Sequence, residues 1–177
     1  AIWTPALLER VHGWDSARIG WGFGLVMIAF GMTGVIVGGW ANDWLAARGH
    51  RDAPLKVAAS SFAIGGAAGV AAPLMASGEL TLVALAVALF FGQMAFPCAA
   101  TSLQLIVPNR ARAQISAVYV TFTTLVGLGV GPTVIGLMND FVYGPDRIDL
   151  SMATVIGCAA PLMVVMMCLA MKPYRGF

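Results

Sequence analysis

Charge is what this sequence has least of. Only 10% of its 177 residues are Asp, Glu, Lys or Arg, against about 25% in soluble domains. With 59% apolar residues and 21 glycines besides, so few charges cannot cover the chain for water, and it needs lipid as its solvent. Cysteine is also sparse. Cys98, Cys158 and Cys168 fall inside apolar runs without metal-ligand spacing and read as small hydrophobes. The basic residues are scattered and the net charge is only +2, which leaves no footprint for nucleic acid. Neither a metal nor another cofactor is expected.

Long apolar runs are what the chain does have. A bilayer core of about 30 Å needs about 20 apolar residues in a helix, and segments 19–40, 57–77, 80–106, 113–138 and 150–171 meet that test. None of them holds Lys, Arg, Asp, Glu or His. An intramembrane protease would need a nucleophile and base or clustered ligands inside the spans, yet both histidines, His12 and His50, fall outside them. A channel would want rings of charge or a carbonyl filter. An enzyme is therefore not expected, and a channel or structural membrane subunit is a lesser reading.

Basic residues near span ends are retained on the cytoplasmic side. Five spans put Arg48, Arg51, Lys56, Arg110, Arg112, Lys172 and Arg175 on one side and Arg10, Arg18 and Arg147 on the other. The C-terminus is expected in the cytoplasm, with the protein in the inner membrane of a cell. The first 18 residues lack a signal peptide's pattern and read as the outer end of a preceding helix, so the chain is expected to be the back part of something longer.

The first span closes "GGWAND" and the fourth "GLMND", each a Gly, two residues, Asn and Asp, at Gly39–Asp43 and Gly136–Asp140. With a helix before the first span, the matching tails would end the middle helix of two triplets that point in opposite directions. Three-plus-three inverted repeats are a pattern of secondary transporters.

"GGWANDWLAARGH" (residues 38–50), expected in a short cytoplasmic loop, resembles the second-half loop motif of the major facilitator superfamily. Gly39 and Asp43 fit, Arg48 and Arg51 supply charge, but Trp44 stands where a basic residue is usual and Ala46 where Gly is usual. "LQLIVPNRARAQISAVYVTFTTLVGLGVGPTVIGLMNDFVYG" (residues 103–144) looks like the tenth-to-eleventh helix region of the bacterial Spinster-like branch. The resemblance implies an all-α membrane protein, the C-terminal six-helix half of a major facilitator fold with five full spans plus the end of a preceding one. It further implies an alternating-access carrier, usually proton-coupled, for amphipathic lipids such as lysophospholipids or sphingosine phosphate. A drug or sugar carrier of the same superfamily is the alternative. The N-terminal half would be a partner and would hold the proton-coupling residues; membrane lipids and a small amphipathic substrate complete the expected partners.

Within the spans, Gln93, Pro97, Ala100 and Gln104 share one helical face, and Pro97 frees the carbonyl of Gln93. The two glutamines either line a wet cavity or bond a neighbouring helix. Ser116, Tyr119 and Thr123, with Phe122 beside them, form a polar-aromatic stripe that is open to the same two readings. Phe23, Met27 and Phe30 form an apolar stripe suited to an acyl chain or to bulk lipid. Asp43 and Arg48 are candidates for a contact that gates the two halves, as are Arg110 and Arg112, which attraction to anionic headgroups would also explain.

Three glycines at every second position, Gly127, Gly129 and Gly131, precede Pro132. Pro132 stands where a phosphate loop's last glycine would fall, and no strand precedes the string, so it does not cradle phosphate. Glycine and proline both weaken a helix; with Pro97, this string is expected to be a bending point.

Overall fold

The computed structural model describes residues 2–50, 52–144 and 147–174, the side chains of 105, 106 and 172–174 excepted. Arg51, Asp146, Arg175 and the side chain of Lys172 lie outside the described residues. Six helices and no strand occur among those described: α1 (Thr4–His12), α2 (Ser16–Ala47), α3 (Ala53–Leu74), α4 (Gly78–Ile106), α5 (Arg112–Tyr143) and α6 (Ile148–Tyr174). The last five are long and apolar enough to cross a membrane, whereas α1 has only nine residues. The chain is thus an all-helical protein of the multi-pass membrane kind.

Local chemistry sets the helix ends. Pro5 and Pro54 sit in the first turns of α1 and α3, where the missing N–H costs nothing. The hydroxyl of Ser77 caps α4 by accepting from the Leu80 N–H at 3.3 Å. Gly13, Gly49 and Gly144 have φ of 65°, 84° and 87° and close α1, α2 and α5.

Most expected bounds move by a few residues, and two C-terminal ends move furthest. Residues 38–47 are helix rather than loop, because nothing from Gly38 to Ala47 breaks α2 and the first stop is Gly49. Likewise α5 runs on to Tyr143, so the Asn139–Asp140 tail is also helical.

The core is a layer in which α3 lies between α4 and α6, and α2 packs on the other side of α4. Close approach there depends on missing side chains. A methyl at Gly34 or Gly38 of α2 would overlap the carbonyl oxygens of Phe90 or Met94 in α4, and one at Gly65 of α3 would stand 2.9 Å from the Phe91 Cβ. Cα-to-carbonyl approach of this kind is how helices associate in lipid, where burial of apolar surface gives no drive. At one end Val57, Ala58, Ala95 and Cys98 fill the join, against Ala41, Leu45 and Met167.

α5 stands apart. It leans on α4 near its start and on α1 and α6 near its end, where Leu7, Ile148 and Met152 meet Trp3 and Ile135. None of the most apolar stretch of α5 is buried, against 44% for α3.

Candidate functional site

Of the polar groups expected inside the spans, one pair meets where α4 faces α5. Pro97 lies inside α4; its ring removes the N–H that the Gln93 carbonyl would have accepted. Gln93 is exposed and lies beside the α2 crossing, close to Gly34. Three turns on, Gln104 Nε2 donates to Ser116 Oγ at 3.3 Å. That bond joins Gln104 to the stripe of α5. Tyr119 is half-buried in the same stripe and Phe122 is exposed.

The other hydroxyls turn inward to their own helices. Thr101 donates to Pro97 O at 2.9 Å, Ser102 to Ala99 O at 2.8 Å and Thr123 to Tyr119 O at 2.8 Å. Such back-bonding satisfies a hydroxyl in lipid without a partner helix. The face thus presents Gln93, Gln104, Ser116 and the Tyr119 phenol as groups that a ligand could meet.

The stripe on α2 divides. Phe23 is buried with Leu8, Trp14 and Ile19, so it packs α1 against α2 and is closed to a cavity. Met27 and Phe30 remain exposed at 44% and 43%. At the far end of α2, Asp43 is exposed, and the Arg48 guanidinium lies 3.5 Å over the Trp44 ring. Arg110 is exposed and Arg112 Nε donates to Val107 O at 3.3 Å. No carboxylate contact with Asp43 is seen for any of the three arginines among the described residues.

The glycine string is a π-helical turn, Val126–Val130, in the middle of α5. The Gly131 N–H bonds Val126 O, five residues back. Widening the helix by one residue just before Pro132 accommodates the N–H that proline lacks. Beyond the turn, Pro132 O accepts the indole N–H of Trp3 at 3.1 Å. A cleft of about 300 Å³ lies behind, lined by Trp3, Gly127, Leu128, Gly131, Pro132 and Met152 among others.

Sequence reading missed three things. A second π-turn, Met27–Gly31, interrupts α2, and nothing in "MIAFG" announces it. Trp3 pins α5 from 129 residues away, a pairing with no local signal. Asn42 and Asn139, the asparagines of the two matching tails, are 7% and 5% exposed, and each has a buried Oδ1 without a hydrogen-bond partner, while the following Asp43 and Asp140 are exposed. The repeated tail was the available signal. No group of three or more His, Cys, Asp or Glu among the described residues could hold a metal.

A scan against protein-family models and searches of curated proteins and of solved structures found no match to this chain.

Proposed function

We propose that the chain is the C-terminal half of an alternating-access secondary carrier of the major facilitator type, for an amphipathic lipid-like or organic anion substrate. The observation that carries this reading is the contrast between a packed layer, α2–α4–α3–α6, and an unpacked α5 whose centre is a π-turn next to proline. Beside that helix lie groups a substrate would touch, Gln104, Ser116 and Tyr119, with Gln93 three turns away on α4 beside the α2 crossing. Alternating access requires one bundle to rock against another around a mid-membrane site, and α5 has the open face such a partner would occupy.

The inverted-repeat part of the proposal has separate support. α2 and α5 each carry a five-residue π-turn upstream of a Gly-x-x-Asn-Asp tail with the Asn buried and the Asp exposed, although in α5 a further π-turn, Asn139–Tyr143, begins at the tail's Asn. By the count of spans they cross in opposite directions. Segments 19–40, 57–77, 80–106, 113–138 and 150–171 hold no Asp, Glu, His, Lys or Arg, which favours proton coupling, where present, by acids of the other half. The charge asymmetry favours a cytoplasmic C-terminus in a cell inner membrane.

Uptake into proteoliposomes by the assembled protein tests the proposal. Labelled lysophospholipid is expected to enter, faster with an imposed pH gradient. Uptake of labelled sugar alone would favour the other branch of the superfamily, and uptake of neither would end the carrier reading.

A further inference from the structure

Three tryptophans are strongly exposed among the described residues, and all three stand on α2: Trp21 at 75%, Trp40 at 65% and Trp44 at 43%. They are not scattered. Trp21, Leu25, Ile28, Met32, Ile36 and Trp40 follow one another at spacings of three and four, every one at least 60% exposed. This face points away from the Gly34, Gly38 and Asn42 side that packs on α4. Trp21 and Trp40 are 19 residues apart, roughly 28 Å at 1.5 Å per residue. A bilayer's hydrocarbon core is about 30 Å thick, and tryptophan collects at both of its boundaries because the ring is apolar with one polar edge.

Past Trp40 the ladder changes character. Trp44 stacks on Trp40 with ring centroids 6.3 Å apart and planes at 27°, and the Arg48 guanidinium lies 3.5 Å over Trp44. The stack fixes a cation one step outside the apolar ladder. Its N–H edges stay available, and a guanidinium edge matches a phosphate in charge and in fork geometry.

We propose that this face of α2 is a lipid-contact surface, with acyl chains along the ladder and the phosphate of an anionic phospholipid on Arg48, held by the Trp40–Trp44 stack. The inference does not rest on the transport reading, because a channel or scaffold would have the same use for it. It also assigns Trp44, the residue that departs from the loop motif, a definite task.

The test uses the full protein that contains this chain, reconstituted in phosphatidylcholine vesicles with and without phosphatidylglycerol. Cys158 and Cys168, whose thiols are exposed, are replaced by Ser, and spin labels are placed at Met32→Cys and Ile36→Cys. Both labels are expected to collide several-fold more often with dissolved oxygen than with a water-soluble nickel chelate. Shielding of both labels from both reagents would mean that protein, another half or a second copy, covers the face, and would overturn the proposal. For the headgroup, the chain is expected to select spin-labelled phosphatidylglycerol over spin-labelled phosphatidylcholine, and Arg48→Gln to reduce that preference about fivefold. Trp44→Leu keeps the charge but removes the stack and is expected to give part of that loss. Equal selectivity in the native chain and in both variants would remove the headgroup site.

Discussion

α3 and α5 are almost equally apolar, both carry three glycines close together, and they end up in opposite situations. In α3, Gly65, Gly66 and Gly69 lie against Phe91, Ala160 and Ile156, and an added methyl would collide or crowd at each. In α5, Gly127 and Gly129 have nothing within 4 Å of where a Cβ would stand, and Gly131 only its own helix's Val126 carbonyl, at 3.9 Å. The same residue therefore does two jobs. In α3 it lets two neighbours approach, which is how helices hold together in lipid. In α5 no neighbour stands where the glycines lack a side chain, and the chain there adopts a π-turn beside a proline.

That contrast can be broken from either side. The largest effect is expected at the packed contacts: Gly38→Leu, whose side chain would run into the Met94 backbone, should cost about 3 kcal/mol by overpacking and lower the unfolding midpoint in detergent. Gly66→Leu should act likewise by driving α3 from α6. The matching change in α5, Gly129→Leu, should leave insertion and the unfolding midpoint close to native. Its effect belongs to function: transport should slow several-fold if the π-turn is where α5 bends, and an unchanged rate would reduce these glycines to passive spacers.

Trp3→Phe keeps the ring but loses the N–H that Pro132 O accepts. It should cost about 1 kcal/mol and raise hydrogen exchange in the second half of α5 while the first half stays as it was. The smallest change is expected from Gln104→Met. One interhelical hydrogen bond in a membrane averages about 0.6 kcal/mol, so stability should barely move. Substrate affinity should fall if Gln104 faces a ligand, and stay constant if its work is to hold Ser116.

The membrane class was legible because composition alone decides it, and the five spans were legible because no charge interrupts them. What the sequence hid is which side of each helix finds a partner. Phe23 and Met27 sit on one apolar stripe, but Leu8 and Trp14, brought in by a turn at Gly13, bury Phe23 and leave Met27 open. Residues 38–47 carry a motif expected in a loop, yet contain no residue able to stop a helix before Gly49. Glycine and proline marked residues 127–132 as an irregular place in a helix, but not that the irregularity is a π-turn. A π-turn records how the whole backbone fits past Pro132, with Trp3 holding the far side, and no short pattern encodes that. The Gly-x-x-Asn-Asp tails were visible; the burial of each Asn with each Asp exposed needed the packing.

The central claim is that α5 moves on a fixed layer, and interspin distances test it most directly. With Cys158 and Cys168 replaced by Ser, one label pair joins α3 to α4, at Ile64→Cys and Val83→Cys, and a second joins α3 to α5, at Ile64→Cys and Val118→Cys. All three sites are exposed. In vesicles the first pair should give one narrow distance, and the second a broad or two-peaked distribution that Gly129→Leu narrows. A single narrow distance for both pairs, unaltered by Gly129→Leu, would contradict the account.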